Sequence, residues 1–210
     1  WEKKPGANKI IYSSDILTKN QWVIVSKQEK ELFDHIEQAA QKRLGDDGIA
    51  EIFVGLQTSA DDIYIINPVS IETTTVVFND KQGKKWEIEK GICKDAILDQ
   101  HIHYFSHLKS NRLIIFPYTE VEGKNKIISE NLLKENYPRT YSYLNSCKKK
   151  LAKRNISDSN SFWYQYGRSQ SLNKFDTSKA IIKNPSLFGC AVYDSNNTMF
   201  TGGGNGPYYG

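Results

Sequence analysis

Residues 49–88, IAEIFVGLQTSADDIYIINPVSIETTTVVFNDKQGKKWEI, decide the fold class. Apolar, β-prone runs at 49–55, 63–66, 73–78 and 85–88 follow one another with only turns between them. The polar loop 57–62 separates the first two runs. The turn 79–84, with Asp80 and Gly83, brackets a hairpin between the last two. No helical pattern intervenes, so strands and helices do not alternate as a doubly wound sheet requires. An irregular α+β fold is expected, with a curved mixed or antiparallel sheet flanked by helices.

Outward from this stretch, the N-terminal side carries a helical pattern over 27–44. Ser26 and Glu29 form a capping box that satisfies two backbone donors reciprocally. Leu32, Phe33, Ile36, Ala39, Ala40 and Leu44 recur at helical spacing, and Gly45 can supply a left-handed cap. A short strand is expected at 22–25. On the C-terminal side, 113–118 reads as a strand ending at Pro117-Tyr118. Ser129 is a good N-cap for a second helical region. Pro138 disfavours helix at Tyr137 and marks a break or a fresh start. Beyond it, Tyr141, Leu144, Cys147 and Leu151 form one face, and Ser142, Ser146, Lys149 and Lys153 another. Strand-like runs at 180–183, 187–193 and 198–201 close the chain. This organisation predicts a connecting segment at 1–48 and a main domain at 49–210. The chain begins on Trp1 without Met and ends on GGGNGPYYG, which reads as a piece excised from a larger protein.

Composition narrows the function. The chain has 210 residues and a net charge of +4. It has no apolar run long enough to span a membrane, and its opening, WEKKPGANKI, is too polar for a secretory leader. Cys93, Cys147 and Cys190 are odd in number and form no CxxC pair. They read as reduced thiols in a cytoplasmic protein. No G-x-S-x-G, HExxH, DFG or Walker sequence is present, and Gly202-Gly203-Gly204 lacks the strand and helix that a phosphate loop needs. His101, His103 and His107 form a histidine cluster without a carboxylate or thiol at tight spacing. They read as surface histidines rather than a metal site. Glu122 and Lys124 could serve a metal-dependent nuclease, which is the alternative reading from an enzyme class. A protein-interaction domain with a basic face is another.

The charge is unevenly placed. From 139 to 183 there are ten Lys or Arg against two acids, so this block (+8) outweighs a remainder of −4. Lys148, Lys149, Lys150, Lys153 and Arg154 form a helix face without the acids that normally accompany an exposed helix. FWYQYGRSQS at 162–171 follows, dense in base-reading groups. Arg168 can pair with guanine and Gln170 with adenine, Ser169 and Ser171 can donate to phosphates, and Gly167 permits close backbone approach. Phe162 and Trp163 read first as core. The loop after Gly55 is a second polar segment carried between apolar strands.

These residues resemble a known family. FVGLQTSADDIYI (53–65), LIIFPY (113–118), YPRTYSYL (137–144) with LAKR (151–154), and WYQYGRSQ (163–170) with Phe175 and KAII (179–182) occur in family order. Together they are similar to the TaqI-like C-terminal specificity domain of N6-adenine DNA methyltransferases from restriction–modification systems. The likeness extends over most of the chain. Ser59-Ala60 departs from the family's Thr-Gly continuation. The Asn-Pro-Pro-Tyr motif and the glycine motif for S-adenosylmethionine are missing; Asn67-Pro68-Val69-Ser70 lacks the second proline and the aromatic. The resemblance implies a specificity-domain fold that binds double-stranded DNA. It implies no catalytic residue, metal or cofactor here. S-adenosylmethionine would belong to an N-terminal methyltransferase domain of the same polypeptide. The expected DNA contacts are Gln57, Thr58, Ser59, Lys149, Lys150, Lys153, Arg154, Tyr166, Gly167, Arg168, Ser169, Gln170 and Lys179. Among them Lys149, Lys150, Lys153 and Arg154 face phosphates, while Arg168 and Gln170, helped by Gln57 and Thr58, face bases.

Overall fold

The structure, a computed structural model, describes residues 25–46, 49–98, 102, 112–156, 162–183, 190–202 and 208–210. The chain divides into two units, Trp1–Glu51 and Ile52–Gly210. In the first, α1 (Lys27–Ala39) starts from the expected capping box. The Ser26 hydroxyl accepts from the Glu29 amide, and the Glu29 carboxylate accepts from the Ser26 amide at 2.7 Å. The helix stops at Ala39, short of the expected Leu44. The Asp46 carboxylate accepts from the Arg43 amide at 2.8 Å, a local bond that competes with continuation of the helical ladder. Leu32, Phe33 and Ile36 are exposed, so the apolar stripe is present but unburied. Of the expected strand at 22–25 only Val25 is described, and it is not in a strand.

The second unit is α+β, as expected, but its strands are divided among several small sheets instead of gathered in one curved sheet. The elements in order are α2 (Asp61–Tyr64), β1 (Ile65–Ile66), β2 (Pro68–Ile71), β3 (Thr75–Asn79), β4 (Lys85–Glu89), β5 (Cys93–Ile97), β6 (Arg112–Ile115), β7 (Tyr118–Val121) and β8 (Lys124–Ile127). Then come α3 (Glu130–Asn136), α4 (Pro138–Ser146), α5 (Lys148–Leu151), β9 (Lys179–Lys183), β10 (Ala191–Asp194), β11 (Met199–Phe200) and β12 (Tyr208–Tyr209). The central sheet has the order β1-β6-β5-β11, antiparallel except for the parallel β11–β5 pair. Two antiparallel three-stranded sheets, β2-β3-β4 and β10-β9-β12, and the β7–β8 hairpin complete it.

Residues 63–64 close α2 instead of starting a strand, and 49–55 contributes only a bridge from Val54 to Tyr209. The 79–84 turn forms as read. Asp80 accepts from the Gln82 and Lys84 amides at 2.9 Å, and Gly83 takes a positive φ. Ser129 caps α3, and Pro138 opens α4 at a position where its missing N–H costs nothing.

The core is rich in tyrosine. Tyr64, Tyr143, Tyr164 and Tyr166 are fully buried, and each hydroxyl donates to a main-chain carbonyl at 2.6–2.9 Å. A buried phenol needs such a partner, because an unpaired one forfeits its hydration without return. These bonds tie α2, α4, the 162–167 segment and β6 to one another. The aromatic part of the 162–171 segment is therefore largely the inner wall of the domain, with Phe162 and Trp163 packed against the core as read. Among the described residues no helix is long and apolar enough to cross a membrane.

Candidate nucleic-acid interface

Two loops meet at one edge of the second unit. The Gln57–Ala60 loop precedes α2, and the segment from Gly167 onward leaves the core at Tyr166. They pair antiparallel through a bridge between Gln57 and Arg168. The Arg168 amide donates to the Gln57 carbonyl and the Gly167 amide to the Thr58 carbonyl, both at 3.2 Å. The approach is so close that a Cβ on Gly167 would lie 2.0 Å from Ser59 Oγ and 2.7 Å from Ser59 Cβ. Glycine is required at 167 by space. Ser59 sits in the left-handed region at φ 55°, a conformation that costs a side-chain-bearing residue about 1–2 kcal/mol.

Both loops are anchored from below. The Tyr166 amide donates to the Tyr118 hydroxyl at 2.8 Å. Beyond Ser171, Asn125 of β8 donates to the Leu172 carbonyl at 2.9 Å and, through its backbone, to Asn173 Oδ1. The Thr58 hydroxyl accepts from the Ala60 amide at 3.0 Å and donates to Asp61, while Thr201 donates to the other Asp61 oxygen at 3.3 Å. Burial raises the Asp61 carboxyl above its ordinary range against those two hydroxyl bonds.

Arg154 is the hub. Its Nε donates to the Leu151 carbonyl at 3.0 Å, and its terminal nitrogens donate to the carbonyls of Thr58, Trp163 (3.0 Å) and Gln165 (2.8 Å). The guanidinium lies 5.5 Å from the centre of the Tyr64 ring. One side chain therefore joins the end of α5 to the Gln57–Ala60 loop and to the buried segment that leads into Gly167.

The expected contacts separate accordingly. Gln57, Ser59, Arg168, Ser169 and Gln170 are brought together. Ser59 and the last three are exposed, Gln57 is half-buried, and none of the five side chains has a partner among the described residues. Lys149 and Lys153 are also exposed without a side-chain partner among the described residues. Lys150 reaches solvent but pairs with Asp62.

The other five expected residues are turned inward or committed within the fold. Thr58 and Tyr166 are fully buried and spend their hydroxyls on Asp61 and the Ile115 carbonyl. Arg154 spends its guanidinium on main-chain carbonyls. Lys179 is buried against Asp194 at 2.8 Å and donates to the Phe175 carbonyl at 3.1 Å. Gly167 is buried too, its place fixed by Ser59.

The helical face expected to run from Ser142 to Lys153 is broken at Cys147, where α4 ends and α5 begins. Lys148 turns onto the Trp163 ring, 4.9 Å from its centre. Sequence reasoning missed the roles of Asp62 and Tyr118. It also missed the carbonyl role of Arg154, which lies just past the end of α5, where an Arg can bind the last helical carbonyl as its Nε does at Leu151. Glu122 and Lys124 flank the β7–β8 turn at the surface, where Glu122 and Gly123 take positive φ. His101, His103 and His107 lie outside the described residues. Among the described residues no three His, Cys, Asp or Glu side chains group as a metal site would require. Burial pushes the Cys93 thiol up to about 12, the opposite of what a reactive cysteine needs.

No protein-family model matches the chain. It is 26% identical over 211 aligned positions, 94% of its length, to the type II restriction enzyme and methyltransferase RM.Eco57I of Escherichia coli. The chain spans about a fifth (21%) of that relative, so it is similar to one region of a restriction–modification protein.

Proposed function

We propose that this chain is the DNA target-recognition domain of a restriction–modification N6-adenine DNA methyltransferase. It supplies sequence specificity. Methyl transfer from S-adenosylmethionine belongs to a methyltransferase domain N-terminal to it in the parent polypeptide. The carrying observation is the bridged loop pair, where Gln57, Ser59, Arg168, Ser169 and Gln170 present uncommitted polar groups on backbone that buried tyrosines and Arg154 hold in place. A reading surface needs that combination. Free donors and acceptors discriminate base edges, and a rigid support keeps them in register. Lys149 and Lys153 supply phosphate contacts beside it. The likeness to a region of RM.Eco57I is consistent with this division of labour.

The test is duplex binding by fluorescence anisotropy between 50 and 200 mM salt. Each phosphate contact steepens the log–log salt slope by about 0.9, so Lys149→Ala with Lys153→Ala should flatten it by roughly 1.8 for every sequence. Absence of binding to any duplex, by the chain and by its parent protein alike, would overturn the reading.

A further inference from the structure

A cleft of about 400 Å³ lies between the β3–β4 turn and the start of α5. Lys81 and Lys84 line it from the turn, Lys149 and Lys150 from the helix, and Trp86 and Asp62 from below. Two of these cations converge on one anionic atom. Lys81 Nζ lies 3.7 Å from Asp62 Oδ2, and Lys150 donates to that same oxygen. The Asp62 side chain is only 22% exposed, whereas Lys81 and Lys150 are 70% and 62% exposed. The carboxylate is sunk and the ammonium groups reach out over it. Lys84 is held 3.9 Å above the Trp86 ring, and Trp86 Nε1 donates to Asp80 at 2.9 Å. Asp80 is consumed within the turn, since it also accepts from two turn amides. The cleft thus presents four cations against two carboxylates, Asp62 and Asp80, a net of +2. Burial alone would raise the Asp62 carboxyl, but Lys150 and Lys81 more than offset it and hold it below the usual carboxylate range.

Two ammonium groups meeting on one recessed oxygen is the arrangement that receives a phosphodiester oxygen. We infer that this cleft is a second DNA-backbone site, in which Asp62 is a built-in stand-in for a phosphate oxygen of the strand flanking the reading loops. The inference rests on the DNA-binding reading above and extends its Lys149 contact to Lys81, Lys84, Lys150 and Asp62. Its position fits, because Asp62 lies in α2, and α2 begins where the Gln57–Ala60 loop ends. At 1.5 Å per residue, α2 spans about 6 Å, within one helical turn of a duplex resting on that loop. When no DNA is bound, Asp62 keeps Lys81 and Lys150 aimed and moderates sequence-independent affinity. A phosphate entering the cleft competes with it for both.

The experiment uses a duplex of random sequence over the same salt range. Asp62→Asn keeps an oxygen acceptor and removes the charge. It should raise affinity about tenfold and steepen the salt slope by about 0.9 for each lysine released. Lys81→Gln with Lys84→Gln, both on an exposed turn, should flatten the slope by a similar amount and leave the preferred sequence unchanged. These two exposed changes carry the test should Asp62→Asn disturb folding. If the wild-type chain binds duplex and all these variants keep its slope and affinity, the cleft inference is overturned while the DNA-binding reading survives. If the wild-type chain and its parent bind no duplex at all, both fall together.

Discussion

Ser59 and Gly167 show how tightly the proposed reading surface is built. The serine carries a side chain in a left-handed backbone, and it does so directly under a glycine that has room for no side chain at all. Ser59→Gly removes the strain and should stabilise the domain by about 0.5–1 kcal/mol in chemical denaturation, after the entropy of the extra glycine is counted. Gly167→Ala should do the reverse and separate the loops. Arg154 sits at the same scale. Arg154→Lys cannot span the carbonyls of Thr58, Trp163 and Gln165 together, so the loss of two charged hydrogen bonds should cost about 3 kcal/mol. Because Arg154 meets no phosphate in this account, the variant's remaining DNA binding should lose sequence discrimination with its salt slope intact. A flattened slope would return Arg154 to the phosphate role that its place in a basic run first implied. That role was the natural reading of K-K-K-L-A-K-R, since sequence shows charge but not the carbonyls a guanidinium will meet. Tyr166 and Lys179 were misread for the same reason. Their polar ends promise a partner, and the fold supplies it from Ile115 and Asp194.

At the scale of elements, what could be read was what local chemistry controls. The Ser26–Glu29 capping box, the Ser129 cap, the restart at Pro138 and the turn built by Asp80 and Gly83 all depend on residues close in sequence. The elements that were missed depend on distant ones. Residues 63–66 are β-prone, yet Ile63 and Tyr64 lie in a short helix, where the Tyr64 hydroxyl donates to the Tyr164 carbonyl and the Ile63 carbonyl accepts from the Tyr143 hydroxyl, both far along the chain. The β9–β10 pair is governed by a contact of this second kind. Lys179 and Asp194 stand opposite each other in register, both buried, and Asp194 also accepts from Asn196 and Thr198. Lys179→Met leaves an uncompensated buried carboxylate and should cost about 3–5 kcal/mol, with Asp194→Leu on top recovering most of it. Burial alone would raise the Asp194 carboxyl, but the bonds from Lys179, Asn196 and Thr198 hold it below its ordinary value. The folded state therefore keeps this group deprotonated where the unfolded chain would protonate it. Its contribution is full above about pH 4 and is lost as pH falls through the lower folded value, an acid limb that Lys179→Met with Asp194→Leu should shift in pH-dependent unfolding.

Across the second unit, the basic block that dominates the sequence resolves into separate tasks. Lys148 packs on Trp163, Arg154 joins loops, Lys179 is sealed in a sheet, and Lys150 guards a cleft with Lys81. Lys149, Lys153 and Arg168 remain exposed and uncommitted among the described residues. The net +8 of that block thus overstates the number of cations available to a partner, which is why salt dependence is a sharper gauge than charge count. The α+β class was legible from the succession of strands at 49–88, whereas the pairing of β11 beside β5 and of β12 beside β9 was not. Those pairings join segments far apart in sequence, and no local signal encodes them.

The central claim is that the bridged loops read bases. It is tested most directly by selecting duplexes from a randomised pool with the wild-type parent protein and with its Arg168→Ala and Gln170→Ala variants. The account predicts a short enriched sequence for the wild type. Each variant should relax preference at a particular position by about 1–3 kcal/mol, with an unchanged salt slope for Gln170→Ala. An enriched sequence that both variants reproduce without change would contradict it.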